Sequence, residues 1–329
     1  GMFLMPEVIT NMLAALAGEK EECKVWNPAC RTGTFLASVH QTHPKWILSG
    51  TEIEKEPCIL AQMLSFFYGA GIGRIKNEDA LKKDNSEVFD LIVSNPPVGE
   101  LPVEEQERYP IATRKIQLQY LQMIMGSLKK QGLAIVVVNE SVLFKFDAEM
   151  KVRKALMENF ALQGVISLPA GIFLPYTSGK PSVMIFANAP ENAQEHSAVW
   201  FYQLNEIGYS LDRKQEVTGN NQIPDLLAAW SQRKEKEVEW NRQLDGGMIQ
   251  NQWNNPVPKN WKEIHYWFAS KETIRKNDYN LTVGRYKPWK EEQKEVVESP
   301  FQLLQQLAKM EKETMEQIKE LIEMTKHYE

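Results

Sequence analysis

The stretch Asp90-Leu91-Ile92-Val93-Ser94-Asn95-Pro96-Pro97-Val98-Gly99 decides how the chain is read. Phe89 to Val93 is a largely apolar run of strand length, of the kind a parallel sheet buries on both faces. Pro96 and Pro97 have no backbone N–H and cannot continue a ladder, so the strand stops at Ser94 or Asn95. Asn95 is thereby placed at a strand's carboxyl end, where open α/β sheets hold their ligands. The two prolines fix two φ angles and stiffen the loop. The Asn95 side-chain oxygen and a neighbouring backbone carbonyl then form a rigid pair of acceptors, with no competing donor from the prolines. A planar –NH2 group offers two hydrogens to such a pair. Its nitrogen is a poor nucleophile because the lone pair is delocalised. Two acceptors aimed at its hydrogens favour the pyramidal form that exposes the lone pair, which is preorganised stabilisation of developing positive charge. The alternative is a plain strand followed by a proline turn, and an upstream site for a methyl donor discriminates between the two.

The chain has 329 residues, 43% hydrophobic and 25% charged, as in a soluble globular protein of roughly two domains or one domain with large appendages. A net charge of −5 gives no global positive field, so any nucleic-acid contact is local or shared with a basic partner. Cys23, Cys30 and Cys58 show no C-x-x-C spacing, which fits a reduced cytoplasmic setting and not a zinc site. No apolar run approaches a membrane span, and no signal peptide is recognisable. Gly1-Met2 reads as a remnant ahead of a start methionine.

Upstream, Pro6 to Ala17 has helical periodicity, with Gly18 after its end. Lys24-Val25-Trp26 is a short strand, Asn27 to Thr34 a turn of small and polar residues, and Phe35 to His40 the start of a helix. Strand, small-residue turn and helix together bring backbone N–H groups to a nucleotide-like ligand. Trp46 to Gly50 is a second strand. Glu52 follows it, at about the 20-residue distance at which an acidic residue binds ribose hydroxyls in dinucleotide folds. The alternative for Glu52 is a solvated loop carboxylate. Pro57 to Tyr68 is a helix and Arg74-Ile75-Lys76 a weak strand, after which Asp79 stands where an adenine amino group needs an acceptor or, more plainly, as a solvated loop residue. Gln117 to Leu128 is a helix closed by Lys129 to Gly132, and Leu133 to Val138 a buried strand. Val152 to Phe160 is a helix, and Leu162 to Leu168, Val183 to Phe186 and Ser197 to Leu204 are strands. This alternation predicts a mostly parallel sheet with helices on both faces.

The order of these pieces resembles the modification (methyltransferase) subunit of type I restriction–modification systems, a family of amino-group DNA adenine methyltransferases. The resemblance covers most of the chain. Gly1-Met2-Phe3-Leu4-Met5-Pro6 is similar to the family's opening motif, and Asn27-Pro28-Ala29-Cys30-Arg31-Thr32-Gly33-Thr34-Phe35-Leu36 to its donor-binding turn. Gly50-Thr51-Glu52, Asp79-Ala80-Leu81 and Asn95-Pro96-Pro97-Val98 are similar to its next three motifs. Leu168 to Phe173, Ser178 to Ser182, Asn277 to Leu281 and Arg285-Tyr286 follow in the family's order.

The resemblance implies an α/β fold with a seven-stranded, mostly parallel, Rossmann-like methyltransferase sheet and S-adenosyl-L-methionine as cofactor. It implies that Phe3 and Pro6 line the methionine end and that the turn at Asn27, Ala29, Thr32 and Gly33 passes beside the cofactor. Glu52 would accept from the ribose hydroxyls and Asp79 from the adenine amino group. Asn95, Pro96 and Pro97 would hold the target amino group of an adenine extruded from the duplex, with Val98 beside that base. Three positions depart from the family. Arg31 stands where the first turn glycine belongs and adds bulk and charge next to a sulfonium. Asn27 replaces an aspartate. Val98 replaces an aromatic whose stacking is worth roughly 1–3 kcal/mol per base. These departures predict weak or lost activity. The family's amino-terminal helical domain has no counterpart in these residues.

The implied partition is a catalytic domain over 1–206, a helical or irregular extension over 207–290 packed on the core, and a partner-binding helix over 291–329. Trp230, Trp240 and Trp253 read as helix residues packing back on the core, with a nucleic-acid surface as the alternative. Leu303, Leu307, Met310, Thr314, Leu321 and Met324 form a short heptad seam. The resemblance pairs that seam with a DNA-specificity subunit, with a restriction subunit as a further partner of the complex. Two other functions fit the same residues: a catalytically degraded DNA-binding or assembly subunit, and a protein-glutamine N-methyltransferase, whose amide –NH2 suits the same acceptors.

Overall fold

The computed structural model describes residues 5–69, 74–82, 87–189, 198–212, 216–245, 264–288 and 300–325. Helix α1 (Glu7–Leu16) is followed by β1 (Lys24–Asn27), α2 (Thr34–Thr42), β2 (Ile47–Glu52), α3 (Lys55–Phe67) and β3 (Ile75–Asn77). Next come β4 (Phe89–Ser94), α4 (Ile116–Ser127), β5 (Leu128–Asn139), α5 (Glu140–Phe144), α6 (Ala148–Asn159), β6 (Ala161–Ser167), β7 (Pro181–Ala187) and β8 (Ala198–Gln203). A hairpin of β9 (Ile207–Tyr209) and β10 (Val217–Asn221) leads to α7 (Ile223–Ser231) and α8 (Arg233–Asp245). Strand β11 (Tyr266–Ser270), α9 (Lys271–Lys276) and α10 (Pro300–Thr325) complete the described chain.

The main sheet runs β11-β8-β6-β7-β5-β4-β1-β2-β3. Strands β1 to β6 and β8 share one direction, while β7 and β11 are reversed. The sheet therefore has nine strands, not seven. The two extra strands lie beyond β6: β8 pairs parallel to it, and β11 closes that edge antiparallel, Tyr266 opposite Tyr202. Both are apolar on each face, and an edge at β6 would have left them without partners.

Alternate residues of each central strand face two separate cores. On β4, Leu91 and Val93 pack with Ile9 and Leu13 of α1 and Leu36 and Val39 of α2. Ile92 packs with Leu118 and Leu121 of α4 and Val152 and Leu156 of α6, and Phe89 joins that core across the irregular register between Phe89 and Leu91. Each such side chain fully buried is worth roughly 1.5–3 kcal/mol. Lys129 to Gln131, expected to close a helix, instead begin β5 around an irregular register between Phe89 and Leu91. Gly132 is needed there, since a Cβ would stand 2.8 Å from the Phe89 carbonyl oxygen. Trp230 and Trp240 do pack on the core, against Trp200 and Phe268, and Trp253 lies outside the described residues.

The chain divides into two compact units, residues 1–290 and residues 291–329. In the second, α10 leaves Leu304, Leu307, Met310, Met315 and Ile318 exposed. The side chains of Leu303, Leu321 and Met324 lie outside the described set. No described helix is long and apolar enough to cross a membrane.

Candidate active site

The chain order reverses between β1 and β4, which are neighbours in the sheet although two parallel strands separate them in sequence. Open α/β sheets form a crevice at such a point, outside the carboxyl ends of the strands. The turn after β1 builds one wall. Asn27 is buried and its Oδ1 accepts from the Ala29 N–H at 3.2 Å, closing a local turn. The Cys30 N–H donates to the Thr51 carbonyl at 3.0 Å, tying the turn to β2. Trp26 Nε1 donates to Thr51 Oγ1 at 3.0 Å, and the Trp26 ring stacks on Phe89 at the start of β4. Gly33 begins α2 at φ 79°, and a Cβ there would come within 3.0 Å of the Ala61 Cβ on α3. This glycine is set by backbone sterics and by the approach of α3.

Glu52, at the end of β2, is 2% exposed. Its carboxylate accepts from the Arg31 N–H at 2.9 Å and the Glu54 N–H at 3.0 Å. The Arg31 guanidinium lies 3.7 Å from the same carboxylate and 3.6 Å from Glu54. Arg31 has φ 53°, the left-handed conformation that glycine adopts freely and that costs other residues roughly 1–2 kcal/mol. The turn thus keeps the backbone shape of a glycine while its side chain reaches over the buried acid. Thr32 is half-buried beside it.

Asp79 follows β3. Its Oδ1 accepts from the Leu81 N–H at 3.0 Å and its Oδ2 lies 3.7 Å from Lys82 Nζ. The buried Tyr120 of α4 faces this region; burial holds its phenol protonated, and the charges of Asp79 and Glu52 push the same way. All three cysteines are buried. Burial raises Cys30, with Glu52 adding to it, and burial raises Cys23 to about 11, so neither supplies a thiolate. Among the described residues no cluster of His, Cys, Asp and Glu could hold a metal.

At the opposite wall, β4 ends at Ser94 and Asn95 is half-buried, with Pro96 buried and Val98 40% exposed. The loop beyond is pinned by glutamines of α4. Gln119 Nε2 donates to the Glu105 and Thr113 carbonyls at 2.8 and 2.7 Å. Gln122 brackets Ile111, accepting from its N–H at 2.8 Å and donating to its carbonyl at 2.9 Å. Gln117 Nε2 donates to the Pro96 carbonyl at 3.4 Å. That carbonyl was expected to meet no donor from the prolines, and the donor it does meet comes from a helix.

Asn27, Ala29 and Asn95 line one cleft of about 30 Å³ together with Met5, Arg31, Phe35 and Ser94. Pro6 does not line that cleft. It caps α1 and borders a neighbouring groove of about 700 Å³, which also reaches Met5. Glu52 joins the cleft only through Arg31, and Asp79 stands one strand further along, past β2. Phe3 lies outside the described residues. Met5, Tyr120 and Gln117 belong to the site region without having been picked out in the sequence. Glutamines on a helix read as solvated there, and nothing in the local pattern shows that these face inward.

The sheet order, the reversed β7 and the crevice beside β1 define a Rossmann-like α/β fold of the S-adenosylmethionine-dependent methyltransferase class. Within that class the chain belongs to the N-6 DNA Methylase family, whose model matches residues 1–295. It is 30% identical over 224 residues to the type I restriction enzyme EcoEI methylase subunit of Escherichia coli, a match covering 62% of this chain and 45% of that protein. The type I restriction-modification methyltransferase subunit from Streptococcus thermophilus superposes with a TM-score of 0.69 at 23% identity, covering 87% of this chain and 59% of that one. A chain of a type I restriction–modification system, solved to explain complex assembly and conformational transition, gives 0.67 at 25% identity, covering 99% and 67%. The chain spans about half the length of curated relatives such as the EcoEI subunit.

The side chains fit S-adenosylmethionine in kind. A buried carboxylate ends β2, a second acceptor follows β3, and the turn after β1 lies between them and Asn95. The cleft does not fit it in size while Arg31 lies across Glu52, since pockets for ligands of this class run to roughly 300–1,000 Å³.

Proposed function

We propose that this chain carries the methyl-transfer centre of a type I modification subunit, acting on the N6 amino group of adenine in DNA. The observation that carries the reading is Asn95, which leads into Pro96-Pro97 at the end of β4 and lines one cleft with Asn27 and Ala29 of the turn after β1. Glu52 would hold the ribose hydroxyls, Asp79 the adenine amino group, and the backbone at Ala29, Thr32 and Gly33 would pass alongside. Pro6 would border the methionine end, its neighbour Met5 lining the cleft, and Phe3 is assigned there on the motif alone. Held by these residues, S-adenosylmethionine would supply an electrophilic methyl to the amino nitrogen, whose surplus proton would pass to water. Asn95 Oδ1 and the Pro96 carbonyl would accept the two amino hydrogens and stabilise the positive charge that grows on nitrogen. Val98 would flank the extruded base.

DNA, a specificity subunit and a restriction subunit are the proposed partners, in the cytoplasm. The exposed apolar residues of α10 support docking of the specificity subunit. A second reading, a catalytically degraded assembly subunit, is favoured by one observation, the Arg31 guanidinium on Glu52. A protein-glutamine methyltransferase is less well supported, because that group lacks a long carboxyl-terminal extension such as α10. Transfer of labelled methyl to DNA, with and without the specificity subunit, decides. Label in adenine-N6 supports the first reading; DNA binding in the complex without label supports the second; label in protein amide supports the third.

A further inference from the structure

We infer that Gln117 is a positioning residue for this reaction, orienting the Pro96 carbonyl that receives one hydrogen of the target amine. The inference rests on the methyl-transfer reading above and adds a residue to it. Gln117 lies in the first turn of α4 and is 7% exposed. Its Nε2 donates to the Pro96 carbonyl at 3.4 Å and its Oε1 accepts from the Asn139 N–H at 3.2 Å. The amide is oriented by these two partners together, because the flipped form would set donor against donor and acceptor against acceptor.

Between paired strands, ladder hydrogen bonds fix the plane of a carbonyl. At the diproline corner they do not, since neither Pro96 nor Pro97 has an N–H to anchor the peptide. Gln117 supplies the missing constraint from the side. It also ties two neighbouring strand ends together, because Asn139 ends β5 and Ser94, opposite Val136, ends β4. A carbonyl oxygen has two lone pairs. With one directed at Gln117, the other is left for the amino hydrogen in a fixed direction. Gln119 and Gln122 bond to carbonyls and an N–H further along the loop, and Gln122 also to the Leu118 carbonyl of its own helix, so they hold the loop's path and not the acceptor.

The test uses Gln117→Met, Gln117→Glu and, as a loop control, Gln122→Met, each assembled with the specificity subunit. Gln117→Met should lower kcat by about 10²-fold, the scale of a small misplacement of reacting groups, with KM for DNA unchanged. Gln122→Met should lower thermal stability and leave kcat of the folded fraction alone. In Gln117→Glu an ionised carboxylate opposes the Pro96 carbonyl, and a protonated one donates to it. Its transfer rate should therefore recover on acidification relative to wild type, which a purely structural role would not produce. Pro96-Pro97 is the sole Pro-Pro pair of the sequence. Proline labelled with carbonyl 13C and 15N thus isolates the Pro96 carbonyl resonance, which should move in Gln117→Met. Wild-type kcat in Gln117→Met, or an unmoved Pro96 resonance, overturns the inference. If the wild-type complex transfers no methyl, the methyl-transfer reading fails, and the Pro96 resonance alone decides whether Gln117 orients that carbonyl.

Discussion

The Arg31 guanidinium lies 3.7 Å from one oxygen of Glu52, while the Arg31 backbone N–H lies 2.9 Å from the other. One residue thus engages the buried acid twice, through an arm that a glycine would lack and through an N–H that a glycine would keep. Arg31→Gly removes the arm, retains the N–H and suits the φ of 53°. Affinity for S-adenosylmethionine, read by calorimetry, should rise about tenfold, or ~1.4 kcal/mol. Equal affinity in the two proteins would show that the guanidinium moves aside without cost. Micromolar binding by the wild type would count against the expectation of weak activity.

Val98 is 40% exposed beside the diproline corner and offers no π-face. Val98→Phe should strengthen retention of an extruded base by the roughly 1–3 kcal/mol of a base–aromatic stack. Fluorescence of 2-aminopurine at the target position reads this directly, and an unchanged signal would place the base elsewhere.

Gly33→Ala combines a left-handed φ with a Cβ 3.0 Å from Ala61. Strain and overpacking together should destabilise the fold by about 2–4 kcal/mol, seen as a lower midpoint in denaturant. The same substitution at Gly18, also at positive φ but with open space around it, should cost less.

Glu158 accepts two hydrogen bonds from Arg275, at 2.9 and 2.7 Å, and one from the Tyr279 hydroxyl at 2.8 Å. The Arg275 hydrogen bonds hold its carboxyl below the ordinary value, against burial, which raises it. A folded-state pKa below the unfolded one contributes stability above the unfolded value, and that contribution is lost as pH falls through the lowered one. Wild type should therefore melt above Glu158→Gln at neutral pH, by no more than about 1 kcal/mol for a partly exposed pair. The difference should vanish in acid.

Removing residues after Pro300 takes away the exposed Leu304, Leu307, Met310, Met315 and Ile318 of α10. Co-purification with the specificity subunit should be abolished, while donor binding by the rest of the chain should persist. Unchanged co-purification would move the docking surface elsewhere.

The parts of this molecule that reveal themselves in the sequence are those with one-dimensional signatures. The central strands β4 and β5 are apolar on both faces, and Pro96-Pro97 marks where β4 must end. Glu52 is given away by its place after a strand at a fixed distance from a glycine turn, and its burial replaces the solvated alternative. Strand β11 has no such mark, because what makes Tyr266 to Ser270 a strand is β8, its distant antiparallel partner. The glutamines of α4 stay hidden for a similar reason. Their acceptors are carbonyls of a loop whose path only the fold determines, and a polar residue on a helix is ordinarily solvated. Lys129 to Gln131 look like a helix close, yet Gln131 takes a left-handed φ and the segment joins the sheet.

The sheet ends at β3, three residues long, with Lys76 and Asn77 exposed. An edge that short, and carrying a lysine, is a poor template for another chain's backbone. Growth by strand addition is discouraged along that border, so a larger assembly built on this subunit gains more from joining through side chains on helices than from extending the ladder there.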